Sequence, residues 1–460
     1  MDTSIVFDLD LIKRYDISGP RYTSYPTAVQ FNESFDALHY QEIAKATNAS
    51  ARPLSLYFHI PFCATVCYYC ACNKIITANR KRAHPYLNAL HKEIEMQGAL
   101  FDYSRPVTQL HWGGGTPTFI NDDEMIQLMQ QTRRYFQLKE DDTGEYSIEI
   151  DPREVSPEKI KLLRELGFNR MSFGVQDFDP LVQKAVNRIQ TLNQTWSAVE
   201  AARNNGFRSI NIDLIYGLPH QSVASFTRTV EQVLQMAPDR LSVFNYAHLP
   251  HMFKVQKQMD EDTLPSAQEK LDILKFIIDR LVKAGYIYIG MDHFAKPDDE
   301  LAKAQQEGSL YRNFQGYSTQ SECDLVAMGL TSIGMVGDSY SQNRKEMDEY
   351  TQAIDAGQIP VFRGVELTAD DKLRREIITQ LICHFHLDFS ALEKQYAIQF
   401  EAYFSEELVA LKRMVDDGLI ELTSTQLLVK PAGRLLIRNI CMVFDLYLRK
   451  SKQTGFSKVI

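Results

Sequence analysis

Long apolar runs are missing from this chain. No stretch approaches the roughly 20 consecutive apolar residues that a membrane-spanning helix needs, so no helical membrane span is expected. A basic tract is missing as well. Fifty Lys and Arg against 59 Asp and Glu leave a formal charge of 50 − 59 = −9, which argues against broad contact with nucleic acid or an anionic membrane. Only a local basic pocket for an acidic small molecule stays open. The first ten residues carry acids and lack the basic-then-apolar order of a secretory leader, so the cytoplasm is the expected location. Cysteine is sparse outside one place. Four of the seven fall between positions 63 and 72, while Cys323, Cys383 and Cys441 stand alone, a distribution unlike a secreted disulfide scaffold. Fixed-period repeats and low-complexity segments are absent too. A composition of 44% hydrophobic and 24% charged residues instead suits a packed core.

What is present starts with an alternation of strand and helix patterns. Residues 54–60, 107–112, 146–150, 170–174, 209–215 and 240–246 are short β-branched and aromatic runs bounded by turn residues. Between them lie amphipathic helices. One opens at Ser156-Pro157, buries Ile160, Leu163 and Leu166, and closes at Gly167. Another carries Leu87, Leu90 and Ile94 after Pro85. Six such units predict a parallel sheet curled toward a barrel, short of the eight of a closed one, with function at the carboxyl ends of strands. Beyond residue 246 the pattern changes to a helix through Leu271, Leu274, Ile277, Ile278 and Leu281, then a strand at 286–291. From about 365 onward the chain reads as helical, with a β-ribbon at 418–429 and a helix near 433–448. This arrangement is similar to a winged helix, and in so acidic a chain it is read as a lid or packing module rather than a DNA reader. The fold class expected is α/β: a partial (β/α)6 barrel with a curved parallel sheet, an N-terminal extension and a mostly helical C-terminal domain. The segments are 1–50, covering the substrate; 51–290, the barrel; 291–364, a connection contributing to the active site; and 365–460, the C-terminal domain.

The most informative stretch is 59–72 (HIPFCATVCYYCAC), where Cys63, Cys67 and Cys70 are spaced by three and two residues. Such spacing lets one loop supply three thiolates to a cubane iron–sulfur cluster and leaves one iron open. Zinc is the rival for soft thiolates, but its structural sites are usually built from two separated pairs, and no second pair follows. His59 is a conceivable fourth ligand or, more simply, a hydrogen-bonded residue at a strand end.

The Cys-x3-Cys-x-aromatic-Cys loop, the Gly-Gly-Gly-Thr-Pro run at 113–117 and the six βα units resemble the radical S-adenosylmethionine superfamily. Further segments carry the resemblance to the oxygen-independent coproporphyrinogen III oxidase (dehydrogenase) family: 19–27 (GPRYTSYPT), 70–74 (CACNK), 174–178 (GVQDF), 211–219 (NIDLIYGLP) and 313–317 (NFQGY). The resemblance covers nearly the whole chain from about residue 10. It implies a [4Fe-4S] cluster on Cys63, Cys67 and Cys70, two S-adenosylmethionine molecules, and oxidative decarboxylation of two propionates of coproporphyrinogen III to vinyl groups in haem biosynthesis. A reducing electron donor and an unidentified acceptor are implied as well, and monomer is the default.

By the same resemblance Tyr57, Tyr69, Gly114, Glu149 and Ile333 line the iron-bound S-adenosylmethionine, with Asp213 as a second strand-end carboxylate. Gly115, Thr116, Gln176, Arg188 and Ala247 hold the second molecule. For Glu149 and Asp213 the plain alternative is a pair of surface helix-cap acids, and for Arg188 a solvated helix residue. Cys72 is expected to be a non-ligand needed for turnover, or else a small core residue. Phe314 and Gln315 are placed near the second S-adenosylmethionine, though Phe314 also suits a hydrophobic plug. Arg21 is the candidate for the substrate carboxylates, followed by Lys74 and Lys296, with Tyr22 and Tyr25 as covers for a tetrapyrrole face. The alternatives are a haem chaperone on the same scaffold or a haem-processing methyltransferase. Chaperones of that kind carry His-Asn-x-x-Tyr-Trp, whereas this chain reads Arg312-Asn313-Phe314-Gln315-Gly316-Tyr317.

Overall fold

The structure, a computed structural model, describes residues 4–450. Chain contacts group it into two units. One combines Gln30–Lys270 with Glu322–Glu366; the other combines the chain up to Val29, Leu271–Ser321, and the chain from Leu367.

The first unit is built on six parallel strands, β1 (Leu54–Ile60), β2 (Pro106–Gly114), β3 (Glu145–Ile150), β4 (Arg170–Gln176), β5 (Ser209–Tyr216) and β6 (Arg240–Asn245). They neighbour one another in chain order, as a partial (β/α)6 barrel requires. The connecting helices are α1 (Ala83–Gly98), α2 (Asp122–Tyr135), α3 (Pro157–Glu165), α4 (Pro180–Ala185), α5 (Leu192–Asn204) and α6 (Val223–Met236). Their starts are chemically marked. Ser156 accepts the Lys159 amide with Pro157 in the first turn of α3, and Asn121 with Glu124 forms a capping box on α2. On the other side of β1 the sheet continues through β7 (Asp324–Met328), parallel to β1, and then β8 (Ile333–Val336), β9 (Ser339–Asn343) and β10 (Val361–Glu366), all antiparallel.

Side chains alternate across a strand, and here the alternation divides structure from chemistry. Leu56, Phe58, Leu110, Trp112, Ile148, Ile150, Met171, Phe173, Ile210, Ile212 and Leu214 are buried, as are Leu87, Leu90, Met125, Leu128, Ile160, Leu163, Phe226 and Val230 of the helices. Trp112 anchors that layer, edge-on to Phe58 at 6.3 Å and to Phe168 at 4.9 Å between ring centres. The intervening strand positions are polar: Ser55, Tyr57 and His59 on β1; Gln109 and His111 on β2; Ser147 and Glu149 on β3; Ser172 on β4; Asn211 and Asp213 on β5; Ser242 on β6.

The long helix of the 271–285 region spans Ala267–Lys283, and its part in the second unit buries Ile273, Leu274, Ile277, Ile278 and Leu281. Leu271 itself is only partly buried. The C-terminal ribbon, Ile420–Leu422 with Gln426–Val429, gains a third strand, His386–Asp388. The helix expected over 433–448 is two shorter ones, Ile437–Val443 and Leu446–Lys450. They part at Asp445, whose carboxylate takes the Leu448 amide at 2.9 Å and the Tyr22 hydroxyl at 2.9 Å.

Candidate active site

The end of β1 runs straight into the cysteine loop, and the end of β2 holds that loop in place. Gly115 donates its amide to Ile60 O at 2.8 Å and Thr116 donates to Phe62 O at 2.8 Å. A Cβ on Gly115 would stand 2.8 Å from the Phe62 oxygen and the Pro61 carbon, so the position requires glycine because another segment of backbone lies against it. Gly114 has φ +112°, and a Cβ there would meet the His59 ring at 2.7 Å.

Cys63, Cys67 and Cys70 are free thiols within this loop. Tyr68 donates its amide to Val186 O at 3.0 Å and Asn187 donates its side-chain amide to Val66 O at 2.7 Å, tying the loop to the segment after α4. Tyr69 packs on the apolar cluster of Val182, Val186, Leu218, Tyr246 and Met259. Its carbonyl accepts from the buried Gln256 amide at 3.3 Å, and the same amide group reaches Ala247 O at 3.3 Å. Lys74 donates to Cys70 O at 3.0 Å and Cys72 O at 3.3 Å, closing the loop on itself. Cys72 is an exposed residue of the loop, and its thiol faces Cys70. Its hydrogen bond, followed by the opposing effect of burial and the Lys74 charge, brings the Cys70 thiol down to about 6. Burial pushes Cys63 up to about 11 against a bond from Thr116.

Cys67 is the most elaborately supported of the three. Arg188 Nη1 lies 3.5 Å and Arg153 Nη2 3.7 Å from its sulfur. Asp151 orients both guanidiniums, accepting from Arg188 at 2.9 Å and from Arg153 at 2.7 Å. Burial favours the neutral Asp151, but Arg188 and then Arg153 hold its carboxyl below the ordinary range. Arg188 also donates to Gly174 O. It sits after α4 rather than on a helix and is buried, so it is not a solvated helix residue.

The polar face of the sheet leads away from the loop as a connected network. Tyr57 stacks on His111 at 5.8 Å with 11° between the ring planes. His111 reaches Ser147 at 2.5 Å and Glu149 at 3.4 Å, and Gly114 donates its amide to Glu149 at 3.1 Å. Burial works to raise the Glu149 carboxyl, yet His111 and the Gly114 amide hold it below its usual value. Its side chain remains 47% exposed, so the carboxylate is open to a ligand. Asp213 accepts from Ser172 at 2.9 Å and Asn211 at 2.7 Å, and burial nevertheless pushes its carboxyl up to about 6. His59 is occupied at both nitrogens, by Tyr57 at 3.1 Å and Asn73 O at 3.1 Å, which suits a neutral ring carrying its proton on Nε2 and leaves no nitrogen for a metal.

Gln176 has φ +69°, and its buried Oε1 has no hydrogen-bond partner. Ile333 opens β8, opposite Gln342. Phe314 and Gln315 belong to the second unit, in the turn between Tyr311–Asn313 and Gly316–Ser318. Gln315 Oε1 is a second buried acceptor without a partner. Arg21 faces Asp292 at 3.3 Å. Ser147, Ser172, Asn211, His111, Asp151, Arg153 and Gln256 escaped the sequence reading. The signal for the first four was the polar half of the period-2 strand pattern.

The donor set suits an iron–sulfur cluster. Among the described residues, no three His, Cys, Asp or Glu side chains converge as they would on a single metal ion. A cubane takes one thiolate per iron, so its ligands stand apart, and the guanidinium N–H groups at Cys67 suit an anionic centre.

Comparison with known proteins agrees with this geometry. Residues 57–233 match the Radical SAM superfamily and 367–436 the HemN C-terminal domain. The chain is 53% identical to the oxygen-independent coproporphyrinogen III oxidase of Pseudomonas aeruginosa over 100% of both chains. It is 51% identical to the protein of the same name from Escherichia coli over 99% of both. A solved structure described as coproporphyrinogen III oxidase (HemN) from Escherichia coli, a radical SAM enzyme, superposes with a TM-score of 0.92 at 49% identity, covering 96% of this chain and 100% of that one.

Proposed function

Because this chain belongs to the oxygen-independent coproporphyrinogen III oxidase family of radical S-adenosylmethionine enzymes, we propose that its cysteine loop and polar barrel face are the machinery for converting two propionates of coproporphyrinogen III to vinyl groups. The product is protoporphyrinogen IX, made without oxygen on the route to haem. The observation that carries the reading is a three-thiol loop held at the end of β1 beside Glu149, whose carboxylate is half open and kept ionised.

When bound, the [4Fe-4S] cluster and S-adenosylmethionine supply a primary alkyl radical able to take an unactivated hydrogen from a propionate side chain. The chain's own residues do the rest. Cys63, Cys67 and Cys70 would hold the cluster with three thiolates, one fewer than its irons. Arg188 and Arg153 steady Cys67 through hydrogen bonds and positive charge. Glu149 and the strand end at Gly114 are suited to an amino group, and Asp213 to ribose hydroxyls, with Tyr57, Tyr69 and Ile333 as apolar walls. Each propionate loses one hydrogen atom, one carbon dioxide and one electron, so an electron acceptor is needed in addition to the reductant.

A second S-adenosylmethionine is part of the same proposal, held by Gly115, Thr116, Gln176, Arg188 and Ala247. Its support is the unpartnered Gln176 Oε1. Cys72, Phe314 and Gln315 are proposed to act on the substrate, with the exposed position of Cys72 in the loop and the unpartnered Gln315 Oε1 as their support. Residues 1–50 are proposed to cover the tetrapyrrole. Thiols feeding an oxygen-sensitive cluster need a reducing compartment, which supports action in the cytoplasm, and the protein is taken to work as a monomer.

The test is anaerobic incubation of cluster-loaded protein with S-adenosylmethionine, reductant and coproporphyrinogen III. Protoporphyrinogen IX and 5′-deoxyadenosine are expected together. Failure to form 5′-deoxyadenosine would sink the reading.

A further inference from the structure

Acids outnumber bases in this chain, yet residues 43–92 hold no Asp or Glu and seven Lys or Arg. The cysteine loop lies in the middle of that stretch. Three of the cations, Arg80, Lys81 and Arg82, form an exposed 3-10 turn that Asn79 caps by accepting the Lys81 amide at 3.1 Å. The turn is tied to Cys63 through backbone and through rings. Phe62–Cys63 pairs with Ile75–Ile76, with Cys63 opposite Ile76, and Thr77 donates its amide to Cys63 O at 3.0 Å. Arg80 lies over the Phe119 ring at 4.4 Å, and Phe119 stacks on Phe62 at 5.4 Å. Ile76 is itself 41% exposed, so the surface at the Cys63 end of the loop carries an apolar side chain and a short basic turn.

The fold itself uses only the first of these charges. Arg80 pairs with Glu154 and donates to Phe119 O at 2.6 Å. Asp122, at the start of α2, faces Lys159 instead. The side chains of Lys81 and Arg82 have no partner among the described residues. Their position next to a redox centre gives them a use that a merely solvated turn would not have. Charges on the rim of an interface steer the encounter and suppress wrong partners. Complexes that pass electrons are small and weak, so steering counts for more in them than buried area does.

We propose that the Arg80–Arg82 turn and Ile76 are the docking surface for an acidic one-electron carrier protein that reduces the cluster from the Cys63 side. The inference rests on the reading above, in which the cluster needs a reductant, and it names that partner's chemistry. The carrier is oxidised by one electron and the cluster is reduced by one, with no bond made or broken and no proton moved. Lys81 and Arg82 meet the carrier's carboxylates, and Ile76 supplies the apolar contact between them and the loop.

The test uses cluster-loaded protein and, as probe, a small acidic bacterial two-cluster ferredoxin. Affinity is read by titration calorimetry and cluster reduction by freeze-quench electron paramagnetic resonance. The parent protein is expected to bind the probe at low salt. Raising the ionic strength from about 0.01 M to about 1 M shortens the screening length from about 30 Å to about 3 Å, and is expected to weaken binding about tenfold or more. Lys81→Glu with Arg82→Glu is expected to lower both affinity and reduction rate about tenfold at low salt and to remove most of the salt dependence. The neutral pair Lys81→Gln with Arg82→Gln is expected to fall between. Dithionite needs no docking surface, so it is expected to give the same reduced-cluster signal in parent and variants. Salt-independent binding by the parent, or unchanged affinity in the charge-reversed variant, would overturn the proposal. A dithionite signal lost in both variants would also do so, by making the turn structural. So would a parent protein that ignores the ferredoxin and binds a DNA duplex or phosphatidylglycerol vesicles through the turn. A parent protein with no cubane signal after dithionite would sink the cluster reading itself, which is a separate outcome.

Discussion

Asp151 shows how one carboxylate organises the cysteine loop through two arginines rather than by reaching a sulfur itself. It holds Arg188 and Arg153, and both of these reach the Cys67 sulfur. The Asp151–Arg188 pair has side chains only 8% and 7% exposed, so removing one partner leaves a buried charge uncompensated. Asp151→Asn preserves volume and removes the charge. It is expected to cost about 3 kcal/mol, the scale of breaking a buried ion pair, and to lower the iron retained after anaerobic reconstitution. Urea unfolding and an iron assay measure the two effects. Normal stability with full iron content would show that the arginines need no anchor. None of this was visible at residues 151, 153 and 188 in the chain, because a charge partner 37 positions away becomes a neighbour only when β3 and the segment after α4 are brought together.

At the scale of elements, the contact between the ends of β1 and β2 is the critical one. Both amides of the 115–116 turn are used by the β1 extension, and the space beside Gly115 is filled by backbone, which cannot swing aside. Gly115→Ala is therefore expected to push the cysteine loop off β2, costing about 1–3 kcal/mol as an overpacking change and reducing the visible absorption of the reconstituted cluster. An alanine variant with unaltered spectrum and melting temperature would show that the turn has slack. The six parallel strands and their helices were legible in the sequence, because β-branched runs and capped amphipathic helices announce themselves locally. The cysteine loop was legible by its spacing, whereas Glu149 and Asp213 were singled out only through the family resemblance. The strands β7–β10 were not, being short and closely spaced. Leu325, Val326 and Met328 of β7 are buried, so its pattern shows no alternation, and its partner β1 lies some 270 positions earlier in the register Leu54↔Asp324.

That distant pairing raises the question of what joins Glu322–Glu366 to the rest of its unit. Besides the β1–β7 ladder, the answer centres on Glu93 of α1. Its fully buried carboxyl accepts from the Gly329 amide at 2.8 Å, the Tyr350 hydroxyl at 2.5 Å and the Asn343 side chain at 2.7 Å. Nearby, Tyr86 bridges His59 O and the Leu330 amide. Burial pushes the Glu93 carboxyl up to about 7 despite its three donors. A carboxyl raised in the folded state costs nothing below its unfolded pKa near 4.5. Between there and about 7 the folded protein holds a proton that the unfolded chain has released, so stability falls as pH rises, and above that the cost is complete. The shift corresponds to at most about 3 kcal/mol. Glu93→Gln cannot titrate. The stability advantage of the parent protein over Glu93→Gln is therefore expected to shrink as pH is raised from 5.5 to 8, measured by urea unfolding at both values. A gap that stayed constant, or widened, would mean that Glu93 is already ionised in the folded protein at the lower pH. The junction would then be held by a carboxylate whose three donors outweigh its burial.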